Sequence, residues 1–139
     1  MANLFELPRY IAVEGPIRVG KSTLAGIIAG QMQAQRITEP EDNQFLKSFY
    51  EGDAGAAFQT QFGFLIARYE QLSRLDLAAN PNKRVVADYI FEKDKLFAYM
   101  NLTDAELEIY NRYYNLFREQ LPTPDLVIYL QASPEVLKK

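Results

Sequence analysis

Residues 10–24 read Tyr10-Ile-Ala-Val-Glu-Gly-Pro-Ile-Arg-Val-Gly-Lys-Ser-Thr-Leu24. The stretch opens with the run Tyr10–Val13, which is apolar on both faces, as a buried strand of a parallel sheet should be. A glycine-containing turn follows, and from Lys21 the apolar residues recur at helical spacing. The predicted buried stripe of this helix is Leu24, Ile27, Ile28 and Met32. A buried strand that turns directly into a helix is typical of an α/β fold.

The rest of the chain alternates between short β-branched runs and longer helical patterns. Further strands are predicted around Arg36–Thr38, at Lys83–Asp88 and at Leu126–Leu130. Further helices are predicted around Phe45–Tyr50, from about Ala54 to Ala79, within Tyr89–Met100, from the capping box Thr103–Glu106 to Leu121, and from Ser133-Pro134-Glu135 onward. The pattern predicts one domain over residues 1–139, with a parallel sheet flanked by helices.

The composition of the 139 residues excludes several kinds of chemistry. The chain has no His and no Cys, which excludes a Ser-His-Asp triad, a cysteine nucleophile, disulfides and the usual zinc sites. With 15 Lys+Arg against 18 Asp+Glu, it lacks the basic surplus of a sequence-independent nucleic-acid binder. The first residues do not resemble a signal peptide, and no apolar run has the length of a membrane span. We therefore expect a cytoplasmic protein that binds neither nucleic acid nor membrane.

The turn after the first strand matches the phosphate-loop pattern G-x-x-x-x-G-K-[ST], from Gly15 to Ser22. In such loops glycines let backbone N–H groups face phosphate oxygens, the lysine reaches the β- and γ-phosphates, and the hydroxyl binds Mg²⁺. These roles fall to Gly15, Gly20, Lys21 and Ser22, and the helix N-terminus adds its positive end. Arg18 is either a phosphate ligand or a solvated loop residue. The motif predicts a fold like that of the phosphate-loop nucleotide hydrolases.

Carboxylates occupy the predicted carboxyl ends of three strands, where ligands bind in open α/β sheets. Glu39 follows the second strand and is the candidate general base, with a purely structural glutamate as the alternative. Asp88 closes the third strand and is suited to hold Mg²⁺ or its waters, although the same pattern occurs in proteins that bind no nucleotide. Glu14 ends the first strand, and we expect it to hydrogen-bond nearby backbone rather than to act as a catalytic acid.

Polar side chains on the long helix form a second candidate site. Gln61 and Arg68 are seven residues apart and share a helix face, whereas Gln59 points elsewhere. Side chains of this kind among aromatic neighbours are suited to hydrogen-bond a nucleobase. Ordinary solvation of a helix face explains the same spacing equally well.

Taken together, these motifs resemble the deoxyribonucleoside kinases, and most closely their bacterial deoxyadenosine/deoxyguanosine kinase branch. The resemblance runs in order over nearly the whole chain and rests on Tyr10–Thr23, Glu39-Pro40, Phe49-Tyr50-Glu51, Phe58-Gln-Thr60 with Arg68, and Asp88–Asp94. It implies a kinase that uses ATP and Mg²⁺ to phosphorylate the 5′-hydroxyl of a deoxynucleoside, and the expected acceptors are deoxyadenosine or deoxyguanosine.

The resemblance also implies roles for individual residues near the reacting groups. Glu39 would accept the proton of the 5′-hydroxyl, and Tyr50 would contact the 3′-hydroxyl of the sugar. Thr23 would join the residues that bind the ATP phosphates, and Asp88 would lie beside the substrate as well as the metal.

At the base, the resemblance favours Gln61 over Gln59, because the intervals from Tyr50 to Gln61 and on to Arg68 agree with those of the family. Asp94 would be the acidic partner of Gln61 and Arg68 in reading the base edge.

The sequence departs from the family in two places. Asp88-Tyr89-Ile90 stands where many members have Glu-Arg-Ser, so the acid carries over and the arginine does not. The family's arginine-bearing lid, a sugar-contacting glutamate and the last strand have no counterpart before Lys139. We therefore expect a domain that is incomplete at its C-terminal end.

Two other functions compete with this interpretation. A nucleoside monophosphate kinase must neutralise the phosphate of its acceptor, and Arg68 is the main basic candidate for that task. A nucleotide-binding module without turnover is the second alternative, because the arginine-bearing lid has no counterpart in these 139 residues.

The predicted helix after Thr103 is rich in aromatic residues. Tyr110, Tyr113, Tyr114 and Phe117 cannot all face one core, so we expect them to be exposed and to mediate a homodimer.

Overall fold

The computed structural model describes residues 8–15 and 20–131. Arg18 and the helix predicted from Ser133 lie outside the described residues. The chain divides into two compact units that alternate along the sequence. The first unit comprises the segment up to Glu39, Leu77–Ile90 and the segment from Thr123, and the second comprises Pro40–Asp76 and Phe91–Pro122. The single domain expected from the sequence stays a prediction.

The first unit contains a parallel sheet of four strands. They are β1 (Tyr10–Glu14), β2 (Gln35–Ile37), β3 (Val85–Ala87) and β4 (Leu126–Tyr129), in the order β2-β3-β1-β4. In the β1 register, Tyr10 lies opposite Val85 and Ile11 opposite Leu126. All residues of β1 and β3 are buried, as expected for inner strands of a parallel sheet. Because all pairings are parallel, the carboxyl ends of the four strands lie along one edge of the sheet.

Helix α1 (Lys21–Met32) packs against this sheet. Its buried residues Ala25 and Ala29 belong to one core cluster with the strand residues Ile11, Val13 and Val86. The predicted stripe is wrong at Ile27, which is 57% exposed. Apolar residues occur on several sides of α1, and the small alanines face the strands because they allow a close approach of helix and sheet.

The side chains of Asp125 and Arg9 hold the start of β1 in place through hydrogen bonds. The Asp125 carboxylate accepts the backbone N–H groups of Arg9 and Tyr10, both at 3.0 Å. The Arg9 guanidinium donates to three backbone carbonyls, those of Leu77, Asn80 and Lys83. These bonds tie the entry of β1 to the segments that precede β3 and β4.

The second unit is built from four helices within the described residues. They are α2 (Leu46–Tyr50), α3 (Ala56–Ser73), α4 (Lys93–Asn101) and α5 (Asp104–Gln120). The predicted end of the long helix near Ala79 is wrong, because α3 ends at Ser73. Asp76 has a φ of 47°, a left-handed conformation that Asp tolerates and that an α-helix does not continue through.

Helix α5 begins at the capping box predicted from Thr103–Glu106, and both reciprocal hydrogen bonds are present. Tyr110 and Tyr114 are buried, so the expectation that they are exposed is wrong. The Tyr110 ring meets Phe62 edge-on at 5.8 Å, and the Tyr114 ring stacks on Phe91 at 5.2 Å. Helix α5 therefore uses these tyrosines to pack within its own unit.

The predicted α/β class with a parallel sheet and packed helices is confirmed. Each strand and helix predicted within residues 8–15 and 20–131 is present, and the largest shift of an end is that of α3, which stops at Ser73 rather than near Ala79. In that part of the chain, no helix combines the length and the apolar character that crossing a membrane requires.

Candidate functional site

The phosphate loop enters α1 through Gly20. This residue has a φ of 92° at the helix N-cap, in the left-handed region that a side chain disfavours. Its carbonyl accepts the Leu24 N–H at 3.0 Å, which is the first hydrogen bond of the helix. Lys21, Ser22 and Thr23 form the first turn, whose backbone N–H groups and dipole favour anions. The motif glycine is thus required by the backbone that presents the phosphate-binding residues.

The Lys21 ammonium lies between two carboxylates. Its Nζ is 3.4 Å from Glu14 Oε1 and 3.5 Å from Glu39 Oε2. The three side chains, at 14%, 11% and 20% exposure, are only partly shielded from water. A lysine shared at these distances is held weakly by either partner, and a phosphate that carries more charge is able to displace one of them.

Glu14 uses both carboxylate oxygens to hold backbone. Oε1 accepts the N–H of Gly15 at 2.9 Å, and Oε2 accepts the N–H of Ile90 at 3.3 Å. The expectation that Glu14 hydrogen-bonds nearby backbone is confirmed. The residue thereby ties the first glycine of the phosphate loop to the segment that follows β3.

Asp88 positions the backbone of Glu39. Its Oδ1 accepts the Glu39 N–H at 2.8 Å, while its own N–H donates to the Ile37 carbonyl at 3.2 Å. Asp88 is buried, so this link between the ends of β2 and β3 is protected from water. The structure therefore places Glu39, Asp88 and Lys21 together at the carboxyl edge of the sheet. Their chemical roles stay predictions.

The Ser22 hydroxyl accepts a hydrogen bond from the Arg36 guanidinium. Arg36 is on β2, and the sequence analysis did not select it, because no pattern links two residues 14 positions apart on different elements. The Arg36 side chain also lies over α1, where its Nη1 is 3.3 Å from the place that a Cβ on Gly26 would take. A cation that sequence reasoning missed is thus in contact with a predicted metal and phosphate ligand.

The fit of this edge to Mg²⁺ follows from its donors and its charge. Ser22 and Asp88 offer a hydroxyl and a carboxylate, the oxygen ligands that Mg²⁺ prefers. The three carboxylates of Glu14, Glu39 and Asp88 outnumber the two cations described at this edge, Lys21 and Arg36, which favours a further cation. Among the described residues no group of three acidic side chains is arranged to hold a metal by itself. With few protein ligands available, this edge suits Mg²⁺, which commonly keeps water molecules and phosphate oxygens as its other ligands.

The second group of predicted site residues lies in the helical unit, around the buried Asp94. Arg68 Nη1 donates to Asp94 Oδ1 at 2.9 Å, with side chains 5% and 0% exposed. Gln61 Nε2 donates to Asp94 Oδ2 at 3.0 Å and to the Asp94 carbonyl at 3.1 Å. Gln61 is buried with Arg68, whereas Gln59 is exposed, which agrees with the predicted shared face of Gln61 and Arg68. The structure brings together the three residues that were predicted to read a base.

Tyr110 completes this group, which we call the Asp94 cluster: Gln61, Arg68, Asp94 and Tyr110. The Tyr110 hydroxyl donates to Asp94 Oδ2. Burial raises the pKa of Tyr110 well above its ordinary value, and the charge of Asp94 and this hydrogen bond raise it further. Tyr110 was predicted to be exposed on a homodimer surface, although its helical spacing with Tyr114 also indicated a buried position.

Tyr50, the predicted sugar contact, is at the end of α2 and is 79% exposed. Its ring meets Phe49 edge-on at 5.5 Å. The structure does not bring Tyr50 into the buried Asp94 cluster.

Comparison with known proteins gives one consistent result. The sequence model described as deoxynucleoside kinase matches residues 11–139. A deoxyguanosine kinase of Bacillus subtilis is 38% identical over 126 residues, and a deoxyadenosine kinase of Dictyostelium discoideum is 32% identical over 132 residues. The alignments cover 89% and 91% of this chain but 61% and 53% of those relatives.

The fold has similar solved structures. The deoxyadenosine kinase of M. mycoides, solved with the products dCMP and dCDP bound, superposes with a TM-score of 0.71 at 27% identity. The match covers 91% of this chain and 66% of that chain. The chain thus spans about three fifths of the length of the curated relatives.

Proposed function

Because the chain belongs to the deoxynucleoside kinase family, we propose that the protein transfers the γ-phosphate of ATP to the 5′-hydroxyl of a deoxyribonucleoside. The preferred acceptor is a purine deoxynucleoside, in line with the names of the deoxyguanosine and deoxyadenosine kinases to which the chain is similar. The product is the deoxynucleoside 5′-monophosphate, which makes this a reaction of cytoplasmic nucleotide salvage.

The observation that carries the proposal is the position of Glu39 beside Lys21, with Oε2 and Nζ 3.5 Å apart. Lys21 belongs to the turn that receives the phosphates, so a hydroxyl aimed at the γ-phosphate comes close to the Glu39 carboxylate. Glu39 accepts the proton of that hydroxyl as the oxygen bonds to the γ-phosphorus. The bond from this phosphorus to the oxygen bridging to the β-phosphate breaks, and ADP leaves.

The phosphate side is held by Gly15, Gly20, Lys21, Ser22 and Thr23, with Arg18 as a further ligand from the loop. Ser22 and Asp88 would hold Mg²⁺, which would supply positive charge to the phosphate oxygens. Lys21 exchanges a carboxylate for the phosphates and so releases Glu39 for its task as base. Asp88 keeps the backbone of Glu39 in place during that exchange through the 2.8 Å hydrogen bond.

The acceptor is recognised in the helical unit. Gln61, Arg68 and Asp94 read the edge of the base, and the exposed Tyr50 hydroxyl contacts the 3′-hydroxyl of the sugar.

The Asp94 ion pair also weighs against a nucleoside monophosphate kinase. Such an enzyme needs a basic side chain for the acceptor phosphate, and Arg68 was the main candidate. Its guanidinium is engaged by Asp94 at 2.9 Å in a buried pair. Separating this pair to bind a phosphate would leave the Asp94 carboxylate buried without its countercharge, which is costly.

We also assign a homodimer to this protein, through a surface that differs from the one expected. Tyr110 and Tyr114 are buried, but Ile109, Tyr113 and Leu116 form an exposed apolar stripe on α5, at 45%, 47% and 54% exposure. Light scattering should give the mass of a dimer, and Leu116→Asp should give a monomer. Leu96→Asp on α4, where Leu96 is 66% exposed, is the matched control and should leave the mass unchanged. A wild-type protein that is monomeric at micromolar concentration contradicts this assignment.

The function is tested by supplying ATP and Mg²⁺ with each of the four deoxynucleosides and, separately, with their monophosphates. We expect ADP and the 5′-monophosphate, formed fastest from a purine deoxynucleoside. Conversion of monophosphates alone would establish the monophosphate kinase instead. Thermal stabilisation by ATP without ADP production from any acceptor would identify a binding module without turnover.

A further inference from the structure

The Asp94 carboxylate is held by three side chains from two helices. Arg68 of α3 donates to Oδ1 at 2.9 Å, and Gln61 of α3 donates to Oδ2 at 3.0 Å. Tyr110 of α5 donates to the same Oδ2. Asp94 and Tyr110 are both completely buried. Gln61 and Tyr110 therefore share one carboxylate oxygen, so a movement of either changes the position that the other can take.

The direction of each hydrogen bond follows from the chemistry of the partners. The Asp94 carboxylate and carbonyl only accept hydrogen bonds, so the NH₂ group of Gln61 must face both of them. This leaves the amide oxygen, Oε1, as the atom that Gln61 presents to a ligand. The Tyr110 hydroxyl stays a donor, because burial beside Asp94 raises its pKa.

From this arrangement we propose that Tyr110 is a positioning residue for base recognition. Its hydroxyl holds Oδ2 of Asp94, and through that oxygen it keeps the Gln61 amide turned so that Oε1 accepts from the base. The inference rests on the proposed function, since it deepens the role of Gln61 and Asp94 in binding the acceptor. The chemical group recognised is a donor on the base edge, such as the exocyclic amine of a purine.

Without the hydroxyl, Oδ2 of Asp94 loses one donor, so the Asp94 carboxylate and the Gln61 amide that donates to it are held less tightly. The ring of Tyr110 would still pack edge-on against Phe62, so the fold of the helical unit is retained. The loss therefore concerns the affinity for the acceptor rather than the chemistry at the phosphate.

Tyr110→Phe removes this one oxygen, and Tyr114→Phe is its matched control. Tyr114 lies one turn further along α5 and is also buried, and its ring, which the substitution keeps, stacks on Phe91 at 5.2 Å and on Tyr110 at 6.0 Å. Melting curves of both variants set the assay temperature about 15 °C below the lower midpoint, so that both are folded during the measurement.

The readout is kcat and KM for a purine deoxynucleoside and KM for ATP. We expect Tyr110→Phe to raise the deoxynucleoside KM roughly ten-fold, as for a lost hydrogen bond to a charged group, with kcat and the ATP KM within about two-fold of wild type. Tyr114→Phe should change none of the three. An unchanged deoxynucleoside KM in Tyr110→Phe, or an equal rise of both KM values, overturns the inference. Wild-type protein that phosphorylates no deoxynucleoside overturns the proposed function itself. Calorimetry then tests the inference separately, because Tyr110→Phe should bind the deoxynucleoside roughly ten-fold more weakly than wild type does. Equal dissociation constants would overturn the inference.

Discussion

The two groups of site residues are built in opposite ways. At the sheet edge, Lys21 stands between Glu14 and Glu39 at 3.4 Å and 3.5 Å, and all three side chains are partly exposed. In the Asp94 cluster, Arg68 meets Asp94 at 2.9 Å, with side chains 5% and 0% exposed. The first group has an excess of negative charge and long contacts, and the second has balanced charge and short contacts.

This difference matches what each group must do in the proposed reaction. A lysine shared by two carboxylates exchanges partners at little cost when phosphate and metal arrive. A carboxylate saturated by Gln61, Arg68 and Tyr110 does not move cheaply, because breaking a buried pair leaves a charge without compensation. We call Lys21, Glu14 and Glu39 the loose group, and its exchangeable contacts suit phosphoryl transfer. We call the Asp94 cluster the tight group, and its fixed contacts suit recognition of the base.

Glu39→Gln is the strongest test of the loose group. Loss of a general base should lower kcat by roughly 10²–10⁴-fold. ATP affinity should be kept or slightly improved, because one competitor for Lys21 has lost its charge. The measurement is kcat with a deoxynucleoside acceptor, together with calorimetric binding of ATP.

Glu41→Gln is the matched control for that variant, since Glu41 is exposed and only two residues away. It should leave kcat unchanged. A Glu39→Gln variant with near-normal turnover would show that Glu39 is a structural residue, and the proposed mechanism would fail.

Asp94→Asn tests the tight group through stability rather than rate. Removing one charge of a buried pair leaves Arg68 uncompensated, which typically costs about 3–5 kcal/mol of unfolding free energy. Asp53→Asn, at an exposed position of the same unit, should change the unfolding free energy by less than about 0.5 kcal/mol. Urea unfolding of both variants measures the difference, and equal stabilities would mean that the Asp94 pair is not buried in solution.

The two groups also differ in how far the sequence could predict them. The phosphate loop, Glu39 and Asp88 were found because a motif and the ends of predicted strands signal them locally. Gln61 was separated from Gln59 because helical spacing decides which side chain shares a face with Arg68.

Contacts between distant elements escaped prediction. The Arg36–Ser22 bond joins β2 to α1, and the Tyr110–Asp94 bond joins α5 to α4. Neither has a periodic signature, because each depends on how two elements pack. The aromatic count of α5 suggested an exposed surface, whereas the packing of Tyr110 against Phe62 required the fold to be known.

The two units each contain a helical glycine, and the two glycines differ in how much space surrounds them. A Cβ on Gly63 of α3 would lie 2.6 Å from Asn43 Nδ2, whereas a Cβ on Gly30 of α1 would meet nothing within 4 Å. Asn43 is fixed by its bond to the Thr60 carbonyl at 2.7 Å and by accepting the Phe45 N–H at 2.9 Å. A side chain at position 63 would therefore have to displace an Asn43 that is held by two hydrogen bonds.

Alanine at the two glycines should act in opposite directions. Gly30→Ala should stabilise by roughly 0.5–1 kcal/mol, the helix preference of alanine over glycine. Gly63→Ala gains the same preference but must displace Asn43, at a cost of about 1–3 kcal/mol, so a net loss of roughly 1 kcal/mol is expected. Thermal and urea unfolding measure both changes, and a Gly63→Ala variant as stable as Gly30→Ala would show that Asn43 moves freely.

The Asp94 cluster is also expected to make the stability depend on pH. Burial raises the pKa of Tyr110 above its ordinary value of 10.0, with further contributions from the charge of Asp94 and their hydrogen bond. Above about pH 10 the unfolded chain loses this proton while the folded protein keeps it, so stability falls as the pH rises. One retained proton limits the slope to about 1.4 kcal/mol per pH unit. Between pH 8 and pH 11, wild-type protein should therefore lose about 1.4 kcal/mol more unfolding free energy than Tyr110→Phe. If urea unfolding shows that wild type and Tyr110→Phe lose the same unfolding free energy between pH 8 and pH 11, the Tyr110 hydroxyl is not buried against Asp94. The Asp94 cluster would then be less tightly packed than its distances indicate.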